Sequence, residues 1–323
     1  MKLSIKPSGQ NIATRRSKLE LQTKILLATI AAIVIFASVY SPRFLTLINM
    51  VNLFQQIALP GILTLGMTMI LLAGSIDLSV GSMLSFCACV SAQLFLQKQN
   101  TFVAVSMGLL TGLACGLLNG FIVSRTKAAP FIITLGLQSV YFGCALLTSD
   151  ALNLSLWNQF EFLGKGKIFN EIPVFVVIFI FLTFALAATL HFSKFGRRIY
   201  AVGGNPEAAY LAGINIKRYK LVVHAVNGLF VALVALILIS RLGMANSNVG
   251  TGYDLSAIAA AVVGGVSLSG GRGRILGMFV GVVLIGLISN ALNILQVPPF
   301  THYVVTGAVI VGAVLLSNVE KNH

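Results

Sequence analysis

The residues of this chain that are able to do chemistry are few, and they gather at two places. The first is Gly74-Ser-Ile-Asp-Leu-Ser-Val-Gly-Ser82, where Asp77, Ser79 and Ser82 stand in a Gly/Ser-rich break between two apolar runs. A carboxylate held among apolar segments has two readings. It accepts the free amides of a helix beginning at Leu78, as a cap, or it touches a solute passing through the membrane. Asn119, Asn227 and Asn290 stand inside other apolar runs. They either line a polar path or hydrogen-bond one helix to another. The second place is Gly203-Gly-Asn-Pro-Glu-Ala-Ala-Tyr-Leu-Ala-Gly213. Asn205 followed by Pro206 starts a helix, with the Asn side chain at the cap and the proline ring presetting the first turn. Glu207 follows where its charge complements the helix dipole, and Gly213 ends the element. Such a helix has about two turns, too few to cross a membrane. Its polarity suits docking into a groove of a soluble partner.

Other chemistries are excluded by spacing. A phosphate-cradling loop needs Gly-Lys followed by Ser or Thr, and the chain's Gly164-Lys165 is followed by Gly166. Gly271-Arg-Gly-Arg-Ile-Leu-Gly277 has the wrong spacing for a dinucleotide fingerprint, and no βαβ unit surrounds it. His191, His224, His302 and His323 are scattered, without metal-ligand spacing. Cys87, Cys89, Cys115 and Cys144 all sit in apolar runs and read as buried small hydrophobes. No catalytic triad or carboxylate pair is visible, so the chain is expected to be no enzyme by itself and to hold neither a cofactor nor a metal.

The elements that must position these residues are long apolar runs. Spans are expected near 25–41, 52–73, 78–97, 103–124, 130–149, 172–192, 220–240, 254–270, 275–296 and 302–317, at about the ~20 residues a membrane helix needs. With the N-terminus in the cytoplasm, seventeen of the 22 lysines and arginines fall on the inner side. They are Arg125, Lys127, Lys194, Arg197, Arg198, Lys217, Arg218, Lys220, Arg272 and Arg274, with the basic residues of both termini. Only Arg43, Lys98, Lys165, Lys167 and Arg241 fall outside. That asymmetry is what the positive-inside rule requires. Hydrophobic residues make up 57% of the chain and charged residues 9%, against about 25% charged in soluble domains. The net charge of +14 is therefore the cytoplasmic fringe of a membrane protein embedded in lipid, and no nucleic-acid partner is implied. The expected fold is all-α: one polytopic domain over residues 1–323, with about ten transmembrane helices, some of them broken. Residues 1–24 form a basic cytoplasmic start, and the first apolar run is an uncleaved anchor. Residues 150–171 form an external loop containing Trp157, and 193–219 a cytoplasmic loop carrying the short helix. Both termini are cytoplasmic.

Two patterns concern packing. Gly108, Gly112, Gly116 and Gly120 make one small-residue stripe, which lets another backbone approach closely in lipid. Gly74–Gly81 also echoes Gly264–Gly271, with glycines at both ends and Leu-Ser at corresponding positions. Both copies cross in the same direction, so the echo does not indicate an inverted repeat.

These segments carry a family resemblance. Glu207-Ala208-Ala209 with Gly213 resembles the Glu-Ala-Ala-x3-Gly signature of permease subunits in ATP-binding-cassette importers. Gly74–Ser82, Phe195–Asn205, Gly250–Ala260 and Val263–Arg274 resemble the branch serving ribose and related sugars. The resemblance implies a homodimer in the bacterial inner membrane, a cytoplasmic ATP-binding-cassette ATPase subunit, and a periplasmic or extracellular sugar-binding protein. It implies that Gly203, Gly204, Asn205, Glu207, Ala208, Ala209 and Gly213 couple the membrane part to the ATPase. The alternative is an ion-coupled secondary transporter of a small polar solute, which needs ionisable groups along its path; of these only Asp77 stands out.

The charge count places position 165 outside and position 197 inside. Cysteine introduced for Lys165 in a cysteine-free background should react with an impermeant thiol reagent in intact cells. Labelling at Arg197→Cys instead, with 165 silent, would invert the map.

Overall fold

The computed structural model describes residues 26–156, 159–169, 171–298, and positions 301, 304, 305, 307, 308 and 311. The basic start over 1–24, Trp157, His302 and His323 lie outside the described residues, as does most of the tenth expected span.

Among the described residues, nine apolar helices fall on the first nine expected spans. Six are long and apolar enough to cross a membrane: α2 (Leu47–Leu72), α4 (Thr101–Arg125), α5 (Pro130–Ser149), α7 (Val174–Phe192), α10 (Ile216–Leu242) and α12 (Ile275–Ile294). Three are shorter, α1 (Leu26–Tyr40), α3 (Val80–Leu96) and α11 (Tyr253–Val263). The short helices α8 (Lys194–Gly204) and α9 (Pro206–Leu211) lie between α7 and α10. Helix starts carry the caps that free amides require. Thr46, Asn100, Ser193 and Asn215 each accept a backbone N–H of the helix they precede. Pro130 occupies the first turn of α5, where its missing N–H costs nothing.

The eighth expected span, 254–270, ends seven residues early, at Val263. After Val263 the glycine pair Gly264-Gly265 turns the chain, Gly265 at a φ of +84°. Farther on, the Gly271 amide donates to the Leu72 carbonyl of another helix (3.0 Å). The connection between α5 and α7, expected outside, is also more ordered than a polar loop. It holds β1 (Leu154–Ser155), the single turn α6 (Phe162–Lys165), β2 (Lys167–Ile168) and β3 (Ile172–Pro173). β1 pairs antiparallel with β4 (Met244–Ala245), and β2 with β3. The Gly164 amide donates to Ser240 Oγ (2.9 Å), pinning the loop to the end of α10.

The core is built around α2 and α10. Nearly every side chain of α2 from Ile57 to Leu72 is buried, and most of α10 from Val223 to Ser240. The glycine stripe of α4 faces α10. A side chain at Gly112 would collide with the Gly228 carbonyl, and one at Gly116 with the His224 carbonyl. This close crossing has one consequence for the site. It brings α10's polar residues within reach of both α4 and the broken end of α2.

Candidate functional site

The break begins where α2 stops. Gly74 takes a φ of +69°, and the Gly74 and Ser75 amides turn back to the Leu71 and Ile70 carbonyls. Five residues later α3 starts. Asp77 lies between them and is fully buried, and an ionised carboxylate in such a place needs donors on both oxygens. It has them. Oδ1 accepts the Ser79 amide (3.0 Å) and the Ser79 hydroxyl (2.6 Å). Oδ2 accepts Asn119 Nδ2 of α4 (3.0 Å) and Asn227 Nδ2 of α10 (3.4 Å). His224 Nδ1, one turn before Asn227, stands 3.4 Å from the same oxygen, within ion-pair distance but without hydrogen-bond geometry.

The shell continues outward. His224 Nε2 pairs with Ser75 Oγ (3.2 Å). Asn119 Nδ2 also donates to Ser79 Oγ (2.8 Å), and Tyr141 of α5 donates to Asn119 Oδ1 (2.7 Å). Thr134 Oγ1 takes the Leu78 amide (3.1 Å). α3 starts at Val80 and not at Leu78, and no side chain caps it, so Asp77 is no helix cap; it accepts the amide of Ser79, two residues on, and ties the break to two other helices. Local sequence shows the first part only. Asn119 and Asn227 lie 42 and 150 residues away. His224, Tyr141 and Thr134 were not singled out, although His224 and Asn227 are spaced to share one helical face.

The structure therefore separates the six path candidates. Asp77, Ser79, Asn119 and Asn227 form one cluster, each fully buried. Asn290 of α12 exchanges two hydrogen bonds of 3.0 Å with Asn49 of α2, far along the bundle from that cluster. Ser82 alone lines a cavity. That cavity, of about 250 Å³, lies between α3, α5 and the loop before α11. Gly81, Ser82, Ser85, Gln138, Ser139 and Asp254 are among its walls. Asp254, buried in the first turn of α11, was not read from the sequence as a site residue.

The inner segment has the local geometry its composition implies. Asn205 Oδ1 accepts the Ala208 amide (3.0 Å), Pro206 starts α9, and Gly213 turns out of it at a φ of +76°. Ala209 is buried, whereas Glu207, Ala208, Tyr210 and Leu211 are exposed, Leu211 to 84%. Exposed Tyr and Leu on a polar helix form a surface fit for another protein. One turn earlier, a side chain at Gly203 would run into three backbones at once, the Leu72 carbonyl and the amides of Gly74 and Gly271. Tyr200 of α8 donates to the Gly273 carbonyl (2.9 Å). The two echoing Gly/Ser segments, 74–81 and 264–271, meet at this glycine.

A bundle of apolar helices with a hydrogen-bonded buried carboxylate and a polar-lined cavity beside it has the features of a multi-pass membrane transport permease. The chain belongs to the family described as branched-chain amino acid transport system / permease component, whose model matches residues 49–314. It is similar to the ribose import permease protein RbsC of Bacillus subtilis, 41% identical over 88% of this chain and 89% of the relative. It is 38% identical to RbsC of Escherichia coli K12, over 97% of this chain and 98% of the relative. The D-allose transport system permease protein AlsC of Escherichia coli is 37% identical over 91% and 90%. No solved structure matches the chain.

Asp77→Asn keeps one acceptor for Ser79 but turns the other position into a donor facing two donors. Buried unsatisfied groups cost about 1–3 kcal/mol, so the variant should lose several degrees of thermal stability in detergent and most of its transport. Asp77→Leu should lose more. An Asp77→Asn protein as stable and active as the native one would show that the cluster does not depend on the charge.

Proposed function

We propose that this chain is the membrane-spanning subunit of an ATP-driven importer for ribose or a related monosaccharide, acting as two copies in a bacterial inner membrane. A cytoplasmic ATPase supplies the energy, and an external sugar-binding protein delivers solute. Both termini and residues 193–219 lie on the cytoplasmic side. Similarity to ribose permeases over nearly the whole length supports the solute class.

The observation that carries the mechanism is the Gly203 contact. A soluble ATPase can act on a membrane path only through something that touches both. The exposed face of α9, with Glu207, Tyr210 and Leu211, is available to the ATPase. Gly203, one residue before Gly204 and the Asn205 cap, packs directly on the ends of both breaks. Backbone-on-backbone packing leaves no flexible side chain to absorb a displacement. A shift of α9 therefore moves the segments carrying Asp77 and Gly271. In this scheme Ser82 belongs to the path, and Asp77, Ser79, Asn119 and Asn227 hold the broken helix beside it.

An ion-coupled carrier would run through Asp254, which among the described residues is the single carboxylate on the cavity wall. Uptake that stops with vanadate and survives an uncoupler separates the importer from that reading. Glu207→Arg removes a partner for a charge-assisted hydrogen bond. Gly213→Val forces a β-branched residue into a left-handed conformation costing roughly 1–2 kcal/mol. Both should abolish ribose uptake while the permease still inserts and assembles; normal uptake in either would remove this segment from the coupling role.

A further inference from the structure

We infer that the turn joining α7 to α8, together with the start of α10, binds the headgroup of an anionic phospholipid whose acyl chain lies along the exposed face of α7. That this is the inner leaflet rests on the topology of the importer reading; the site itself does not.

Two basic stretches meet at this turn. Lys194, Arg197 and Arg198 stand on α8, and Lys217, Arg218 and Lys220 on α10. Arg198 Nη1 donates to the Tyr219 hydroxyl (2.9 Å), across 21 residues of sequence. The Phe195 ring packs on the Tyr219 ring, with centroids 5.6 Å apart. Arg197 Nη1 donates to the Phe192 carbonyl at the end of α7 (3.3 Å). Lys194 precedes the two arginines by one helical turn, so the three share one face of α8. Gly196, Ile199 and Val202 are buried on the other side. Each of these bonds takes one of the five N–H donors of a guanidinium, and both arginines remain exposed.

The placement of these cations is unfavourable without an anion. A helix N-terminus is the positive end of the macrodipole, where negative charge is stabilising and positive charge is not. Yet α8 and α10 both begin with cations, and neither has an acidic residue in its first turn. Among the described residues, none of the six basic side chains forms an ion pair. Two such helix starts held together by an arginine and a tyrosine call for a negative partner from outside the chain.

The neighbouring surface makes that partner a lipid. α7 is apolar enough to cross a membrane. Phe181, Phe184, Ala188 and Phe192 are exposed along it at helical spacing, Phe184 to 73% and Phe192 to 76%. The strip covers about 16 Å of helix at ~1.5 Å per residue, about half of the ~30 Å hydrocarbon thickness, and it ends just before Lys194. A soluble protein docked on the loops does not reach Phe181; an acyl chain does. Arginine forks match phosphate oxygens, and basic residues immediately beyond a membrane helix attract anionic headgroups.

The test uses the full chain in phosphatidylcholine vesicles. A fluorophore is placed on Thr189→Cys, beside the strip, with the four native cysteines replaced. Spin-labelled phosphatidylglycerol should quench it at a lower mole fraction than spin-labelled phosphatidylcholine, and the difference should shrink with salt. Arg197→Gln and Arg198→Gln should each raise the half-quenching fraction by up to about fivefold, the factor for one cation near the surface. Arg198→Lys should raise it less. Lys165→Gln with Lys167→Gln, at the opposite end of α7, should leave it in place. Equal quenching by the two lipids, or an unchanged preference when Lys194, Arg197 and Arg198 are all replaced by Gln, would overturn the site. So would loss of the preference in millimolar inorganic phosphate, which would mark a site for a free anion. Loss of quenching on adding the ATPase subunits would give the face to the ATPase, and no quenching by either lipid would give it to a second copy; both contradict the inference. The preference is measured without ATP or sugar, so it stands or falls apart from the importer reading.

Discussion

A carboxylate placed among apolar helices must find donors, and the inner half of this bundle is arranged around that demand. Asp77 finds four hydrogen bonds, two from Ser79 and one each from Asn119 and Asn227. Satisfying both oxygens fixes the break between α2 and α3 against α4 and α10 at once. The α4–α10 crossing has to be close for this geometry, and the glycines at 112, 116 and 228 permit it. Burial without partners would be prohibitive, so the cluster specifies one arrangement of three helices.

The break in turn shapes what lies on either side of it. Toward one end, the unwound turn after Leu72 leaves its carbonyl free to accept Gly271, and Gly203 packs into the junction. Toward the other, α3 starts late enough for Gly81, Ser82 and Ser85 to line the cavity with the loop before α11. One polar cluster therefore stands between the exposed face of α9 and the cavity beside Ser82. That placement is what a device converting motion at the surface into a change of path requires.

Much of the fold was legible because hydrophobic runs and caps are local. Thr101–Arg125, Pro130–Ser149 and Val174–Phe192 follow directly from apolar length, and the Asn205-Pro206 start is realised with the Ala208 bond it implies. What was not legible depended on distance in space. Asn119 and Asn227, in separate runs, carry no local mark that they share the Asp77 carboxylate. The apolar run over 254–270 hid the stop at Val263, because hydropathy does not register a glycine pair that turns the chain. Asp254 carries no local mark of a site at the start of the expected span 254–270, and only the approach of the 246–252 loop to α3 makes it a cavity wall. The echo between Gly74–Gly81 and Gly264–Gly271 was visible, but its meaning, contact at Gly203, was not.

The central claim is that Gly203 transmits motion from the α8–α9 segment to the two breaks. The most direct test is the ratio of sugar transported to ATP hydrolysed by the reconstituted complex carrying Gly203→Ala, with Gly204→Ala as control. A side chain at Gly203 would drive into the Leu72 carbonyl, whereas at Gly204, which the resemblance also assigned to coupling, it would meet nothing nearer than 3.9 Å, so packing sets the two glycines apart. The account predicts that Gly203→Ala hydrolyses ATP with at most a small fraction of the native sugar yield, and that Gly204→Ala keeps the native ratio. A native ratio in Gly203→Ala would contradict it.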